Sequence, residues 1–364
     1  MKKSVKILLA GLLVLGSFQA KASEKEQEGH GQVDTKEEIQ GFIDHHLADS
    51  HYFTFFTNSK TGEHFGFPLP VILWDNENGL VFFSASKLHH GEELAEINGT
   101  YYKLYHSQIY KTDTRGNFLH VDEEGHPKNP ELVDFSITKN VVTMILVSLF
   151  LILVFNSLAR SYNKKNVPTG FGRVLEPLVI YVRDEIARPN IGPKYRKYMG
   201  FIMTIFFFIL ILNLLGLTPL GVNVTGNIAI TFCLAMFTFV IVQFSGNKNY
   251  WKHIFWMPGV PIIMKIVLIP IEVLGMFTKP FALMIRLFAN MTAGHVVMMS
   301  LLGLIVVFQN ILAGAAFFGF ALFIAVIEIL VAFLQAYIFA LLSALYIGMA
   351  VEEHDEHPQD QYSY

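Results

Sequence analysis

From Asp134 onward the chain turns from mixed to almost continuously apolar, and the apolar runs are long. Ile137 to Leu158, Tyr198 to Leu217 and Ile228 to Phe244 are each close to the ~20 helical residues that cross ~30 Å of hydrocarbon. From Ile262 to Val351 two further stretches follow, broken at Gln309 to Gly314. The pattern predicts an all-α polytopic membrane protein of about five membrane helices. Between the first two spans, Val174, Leu175, Leu178, Val182 and Ile186 recur at helical spacing opposite Arg173, Arg183 and Glu185, which predicts an interfacial amphipathic helix and not a sixth span. As one helix, Ala313 to Ala350 would be about 57 Å long, nearly twice the hydrocarbon thickness. The last two helices are therefore expected to form a long, strongly tilted antiparallel hairpin whose path is set by a protein partner along its flank.

Ahead of the membrane part the pattern shortens. Tyr52 to Thr57, His64 to Trp74, Gly79 to Ser84 and Tyr101 to Lys111 are aromatic and β-branched, with turn signals such as Glu77-Asn78-Gly79 between them, so a small β-rich N-terminal outer domain is expected. At the start, Lys2, Lys3 and Lys6 precede the short apolar run Ile7 to Leu15 and the small-x-small sequence Ala20-Lys21-Ala22, the form of a secretory signal peptide. These readings divide the chain into a signal peptide at 1–22, a periplasmic domain at 23–135, a membrane domain at 136–351 and a cytoplasmic tail at 352–364. The segment Ala159 to Lys197 carries nine Lys/Arg against three acids, and the positive-inside rule puts it in the cytoplasm.

Composition supports this class. Over 364 residues 52% are hydrophobic and 16% charged, too apolar for a soluble chain of this length, and a formal net charge of -3 provides no field for attracting nucleic acid. The single cysteine, Cys233, excludes a disulfide framework and a Cys-x-x-Cys redox centre. Of the 14 histidines, ten fall in residues 23–135; His45-His46 and His89-His90 lack metal-ligand spacing and read as surface residues. No metal and no cofactor is expected.

The chemistry lies in the charged residues of the last two helices. An arginine in mid-membrane costs ~2.5–3.5 kcal/mol even on insertion scales, so Arg286 needs a function there, and more than a dozen apolar residues after it prevent snorkelling. Glu272, Lys279 and Arg286 recur every seven residues and form one stripe, with Asn290 a turn further on. His295, nine residues past Arg286, faces about 180° away. The partner helix supplies Glu328 and Gln335 on one face. An antiparallel hairpin turning at Gln309 to Gly314 sets Arg286 beside Gln335 and His295 beside Glu328, the latter about 10 to 14 Å nearer the outer surface. Glu272 and Lys279 lie about 10 to 21 Å towards the cytoplasm. Two half-pathways for a cation, separated by a fixed positive charge, have this layout.

The segment Pro280-Phe281-Ala282-Leu283-Met284-Ile285-Arg286-Leu287-Phe288-Ala289-Asn290-Met291-Thr292-Ala293-Gly294-His295 resembles the signature of subunit a of the F-type ATP synthases, and Leu334-Gln335-Ala336-Tyr337-Ile338-Phe339 resembles its second signature. The likeness spans roughly residues 135–355. It implies that Arg286 is the stator arginine facing the ring of c subunits, that Asn290 and Gln335 are its polar neighbours, that Glu272 and Lys279 belong to a cytoplasmic half-channel and His295 with Glu328 to an outer one. It further implies a non-catalytic Fo subunit of a bacterial inner membrane, held in the bilayer beside the c-ring, the b-subunit peripheral stalk and the F1 head, and carrying protons. Two positions depart from the pattern. Many bacterial relatives have the imidazole and the acid of the His295/Glu328 pair exchanged, and Gly216 stands where many have Asp.

Other classes fit less well. A cation-coupled secondary transporter would show repeated halves with interrupted helices at matching positions, and none is present. Neither G-x-S-x-G nor H-E-x-x-H occurs, which argues against an intramembrane hydrolase, and no G-x-x-x-x-G-K-[ST] is present for nucleotide chemistry.

Overall fold

The computed structural model describes residues 49–57, 64–91, 93–105, 107–121, 127–128, 132–165, 172–218, 222–256, 261–307 and 311–352. The expected signal peptide and most of the expected C-terminal tail lie outside them.

Among the described residues, the region ahead of the membrane helices has eight short strands: β1 (Tyr52–Thr57), β2 (His64–Pro68), β3 (Pro70–Asp75), β4 (Gly79–Ser84), β5 (Ala95–Ile97), β6 (Thr100–Tyr105), β7 (Gln108–Thr112) and β8 (Leu132–Asp134). They pair antiparallel as β1-β2, β4-β3-β8 and β5-β6-β7. The apolar run expected as one strand from His64 to Trp74 is two, because prolines 68 and 70 cannot supply ladder N–H groups and the chain breaks at Leu69. Asn98 and Gly99, at φ 52° and 80°, make the two-residue turn joining β5 to β6. Val71, Leu73, Val81, Phe83, Leu88, Tyr102 and Ile109 close over one another as the core. Within it Asp75 is fully buried and accepts hydrogen bonds from Tyr102 Oη (3.0 Å), Asn78 Nδ2 (3.0 Å) and the Glu77 N–H (3.1 Å), while Lys111 bridges it to Glu77.

The sheet runs directly into the first membrane helix, α1 (Lys139–Lys165). The Phe135 and Ile137 N–H groups donate to Ile72 O (2.8 Å) and Pro70 O (3.2 Å), and Ser136 Oγ accepts from the Ile72 N–H. At the start of α1 the Lys139 N–H donates to Ser50 O and the Asn140 N–H to Asp49 Oδ1 (3.3 Å), so the outer segment caps the helix.

Next come α2 (Gly172–Tyr181) and α3 (Arg188–Ile191), joined by a π-helical turn at Val182–Ala187. Pro189 has no N–H for the carbonyl four residues back, and the widened turn lets the Arg188 N–H reach Arg183 O. Of the expected amphipathic face, Leu175, Val182 and Ile186 are buried, whereas Val174 points outward. The remaining helices are α4 (Tyr195–Gly216), α5 (Ile228–Ser245), α6 (Lys248–Trp256), α7 (Ile262–Val307) and α8 (Ile311–Val351). α8 packs on α4 and α7, and α7 on α5. Its inner half places a small residue every fourth position, Ala332, Ala336, Ala340, Ala344 and Gly348, against α4 and α3. That ridge allows close approach of backbones without a hydrophobic driving force, as association in lipid requires. Asn247, between α5 and α6, donates through its backbone N–H and its Nδ2 to Ala350 O and Val351 O (3.0 Å each) and so satisfies the last carbonyls of α8.

Among the described residues, four stretches are long and apolar enough to cross a membrane: Lys139–Tyr162, Gly172–Gly216, Ile228–Ser245 and Gly314–Val351. Their outward faces display Ile145, Leu149, Ile152, Phe232, Phe237, Phe320, Phe323 and Leu330, an apolar surface suited to lipid. The protein is a multi-pass membrane protein.

Candidate ion-conducting site

Asn290 on α7 donates through Nδ2 to Gln335 Oε1 on α8 at 2.8 Å. One turn away, Glu328 lies over Gly294: a Cβ added there would stand 2.5 Å from Glu328 Oε1 and 3.0 Å from its carboxyl carbon. Residue numbers thus rise on one helix as they fall on the other, and these two contacts fix the antiparallel register. Glu328, one residue removed from His295 in this alignment, is buried, and its carboxylate accepts no hydrogen bond among the described residues. His295 is buried as well, and no direct hydrogen bond joins its imidazole to the Glu328 carboxylate among the described residues.

Gln335, Asn290 and Glu328 line one small cavity with Gly294, Met291 and, from α4, Asn213. Sequence reasoning passed over Asn213. It is buried, accepts from Thr225 Oγ1 (2.9 Å) and donates to Ala332 O (3.5 Å), so the loop after α4 orients its amide towards the cavity wall. An asparagine within an apolar helix was the available signal. The structure also accounts for Gly216: the Met291 methyl occupies the space where a Cβ would stand.

Arg286 is half-buried at the next level inward and makes no hydrogen bond or ion pair among the described residues, although it lies within electrostatic range of Tyr346. Glu272 and Lys279, also half-buried, share its stripe but do not form an ion pair with each other in the described structure. Lys279 Nζ instead sits 5.4 Å from the centroid of the Tyr346 ring, and Glu272 is in electrostatic range of Tyr250. Lys279, Tyr250 and Tyr346 line a second small cavity with Gln243, whose Nε2 is 3.5 Å from Tyr250 Oη. These tyrosines and the glutamine were legible only as polar residues in apolar runs, and nothing in their spacing marks them as partners of Lys279.

Two small cavities, each with a few polar side chains in a mostly apolar lining, flank a half-buried arginine and are walled by membrane helices, an arrangement suited to an ion-conducting membrane subunit. The family model described as ATP synthase A chain matches residues 141–348, and the chain belongs to that family. The chain is 47% identical over 239 residues to an ATP synthase subunit a of Chloroherpeton thalassium, covering 64% of this chain and 71% of the relative. It is 40% identical over 309 residues to an ATP synthase subunit a 2 of Prosthecochloris aestuarii, covering 80% and 94%. A relative from Myxococcus xanthus, an ATP synthase subunit a, is 46% identical over 238 residues, covering 63% and 78%. Residues 42–135 match a family described only as a domain of unknown function.

Proposed function

We propose that this chain is the proton-translocating stator subunit of the Fo sector of an F-type ATP synthase, a non-catalytic subunit that couples proton flow to rotation of a c-subunit ring. The observation that carries this reading is the Asn290–Gln335 bond, which joins α7 and α8 with Arg286 between an outer and an inner cavity.

In this reading α7 also crosses the membrane, which makes five membrane helices, and α7 and α8 cross the bilayer as a tilted hairpin against the ring. At 46 and 41 residues they are about 69 and 62 Å long, about twice the hydrocarbon thickness. The basic segment Ala159 to Lys197 faces the cytoplasm of a bacterial inner membrane, which puts the N-terminal domain in the periplasm and the end of α8 inside. Protons reach the ring from the outer side, where His295 and Glu328 exchange them and Asn290, Gln335 and Asn213, which line the outer cavity with Glu328, hold the path. A ring carboxylate is ionised only while it faces Arg286. An arginine guanidinium is not deprotonated in proteins, and its fixed charge prevents protons from passing straight from one cavity to the other. Protons leave along Glu272 and Lys279, with Tyr346 and Tyr250 beside them. The b-subunit peripheral stalk holds this stator still against the F1 head, where ATP chemistry takes place.

Purification in mild detergent tests the assembly: a ring of small hairpin subunits and a soluble ATPase head should accompany the chain, and inverted vesicles should acidify on ATP addition. A chain that purifies alone and exchanges a solute for a cation would instead be a secondary transporter.

A further inference from the structure

The outer domain meets α1 in a seam that is more polar than a structural joint requires. A cleft of about 470 Å³ opens there, lined by Asp49, His51, Asp134, Ser136 and, from the β6–β7 turn, Ser107 and Gln108. His51 is 1% exposed; its Nε2 lies 3.5 Å from Asp134 Oδ2, and its Nδ1 has no hydrogen-bond partner among the described residues. Asp49 holds the N–H of Asn140 at the start of α1 and lies within electrostatic range of the Lys139 ammonium. Lys139 in turn lies within electrostatic range of the buried His295. Below it on α1, Asn140 and Thr143 are buried polar residues, and Asn140 Oδ1 accepts no hydrogen bond among the described residues.

We propose that this seam is a proton-collecting site, in which Asp49, His51 and Asp134 take protons from the periplasm and pass them beside Lys139 and Asn140 to His295. The proposal rests on the stator reading above and gives the outer domain a part in it. The charged groups at the seam are Asp49 ahead of β1, Asp134 from β8 and, within electrostatic range of Asp49, Lys139 from α1; they sum to one negative charge beside the His51 imidazole, which favours an extra proton. Burial pushes the Asp49 carboxyl upward, towards the pH at which it exchanges protons. On Asp134 burial acts in the same direction, but the nearby His51 imidazole and hydrogen bonding from Ser136 outweigh it and hold that carboxyl below the usual range. The two acids thus differ in readiness to accept a proton, with an imidazole between them.

The need for such a site follows from supply. At an outer pH of about 8 free protons stand at about 10⁻⁸ M, so capture at a diffusional ceiling of about 10⁹ M⁻¹s⁻¹ brings about 10 per second to a lone group. Several exchanging groups in an open cleft enlarge the target and draw on buffer as well as on free protons.

The test uses the intact complex in proteoliposomes with the outer domain facing the proton source, and measures ATP synthesis at that pH in weak buffer and again with added imidazole. The variant combining Asp49→Asn, His51→Gln and Asp134→Asn should be several-fold slower than wild type in weak buffer and should recover with imidazole, a mobile carrier that bypasses the site. An assembled variant that runs at the wild-type rate in weak buffer, or a loss that imidazole does not restore, overturns the proposal. Asp49→Asn alone keeps an acceptor for the Asn140 N–H and is held to the same two criteria if the triple variant does not assemble. Arg286→Ala is the separating control: normal coupled synthesis in that variant would remove the stator reading itself, whereas a buffer-insensitive seam variant in an Arg286-dependent complex removes only the collecting site.

Discussion

Asn290 and Gln335 are 45 residues apart in the chain and joined by a 2.8 Å hydrogen bond between the two longest helices of the molecule. Gln335 is buried, so losing Asn290 strands its amide oxygen at a cost of about 1–3 kcal/mol. The bond therefore specifies a single register for the hairpin, and everything inferred about the two cavities depends on that register.

Cysteine pairs report the register directly. In a Cys233→Ala background, cysteines at 290 with 335 and at 294 with 328 should join through short cross-linkers, whereas cysteines at 286 with 328 should join far less. Gel mobility of the cross-linked chain is the readout, and preferential linkage of 286 to 328 would mean that the two polar levels are misassigned.

Gly294 tests the close approach of Glu328. Gly294→Ala places a methyl where the carboxylate now lies, and the flexible end of Glu328 must swing away. Assembly should be retained and proton pumping per assembled complex should fall. Shortening the acid with Glu328→Asp in the same background should return part of the activity, a non-additivity expected of residues in contact.

Gly348 makes the opposite comparison. A Cβ there would collide with the backbone carbonyl of Asn190, which cannot rotate out of the way, so Gly348→Ala should cost about 1–3 kcal/mol and lower the thermal stability of the membrane domain. Gly275, in α7, has nothing within 4 Å of the same construction, and Gly275→Ala should be neutral or slightly stabilising. Equal effects at the two positions would show that the α8–α3 contact is looser than described.

The outer domain should lose structure on acidification, and Asp75 should lead. Burial alone would raise its pKa, but the Glu77 N–H, Tyr102 Oη, Asn78 and Lys111 more than compensate and hold the carboxyl below its ordinary value of 3.8. A carboxyl whose folded pKa is depressed adds stability that is complete above its unfolded pKa and lost as pH falls through the folded one. Hydrogen-exchange protection of β3, β6 and β7 in the full-length chain should hold near neutrality and collapse below the carboxylate range, and Asp75→Asn should weaken it at neutral pH.

Much of this was readable in advance because membrane physics leaves a strong trace: long apolar runs have few alternatives to helices, and a charge inside one is conspicuous. The stripe of Glu272, Lys279 and Arg286 and the hairpin turn could be placed from spacing alone. Strand boundaries were harder. Leu69 breaks one expected strand between two prolines, while β5 and β8 are three residues each and depend on tertiary pairing that no local pattern encodes. Glu272 and Lys279 were expected as a pair, yet the fold gives each a tyrosine from another helix, Tyr250 and Tyr346, brought close only by packing. Asn213 and the small-residue ridge from Ala332 to Gly348 were present in the sequence but acquire meaning only once α8 is seen to lie along α4 and α3. The seam at Asp49, His51 and Asp134 joins positions separated by more than eighty residues, a juxtaposition no periodicity reveals.

In the proposed mechanism a fixed positive charge at Arg286 separates two proton pathways and couples them to the ring. It is tested most directly by ATP-driven proton pumping in inverted vesicles holding Arg286→Ala complexes, normalised to the amount of assembled enzyme. Because the arginine costs insertion energy and makes no ion pair among the described residues, assembly should survive its removal. Pumping should be abolished, and passive proton leak through the membrane sector should rise. Wild-type pumping by the assembled Arg286→Ala complex would contradict the account.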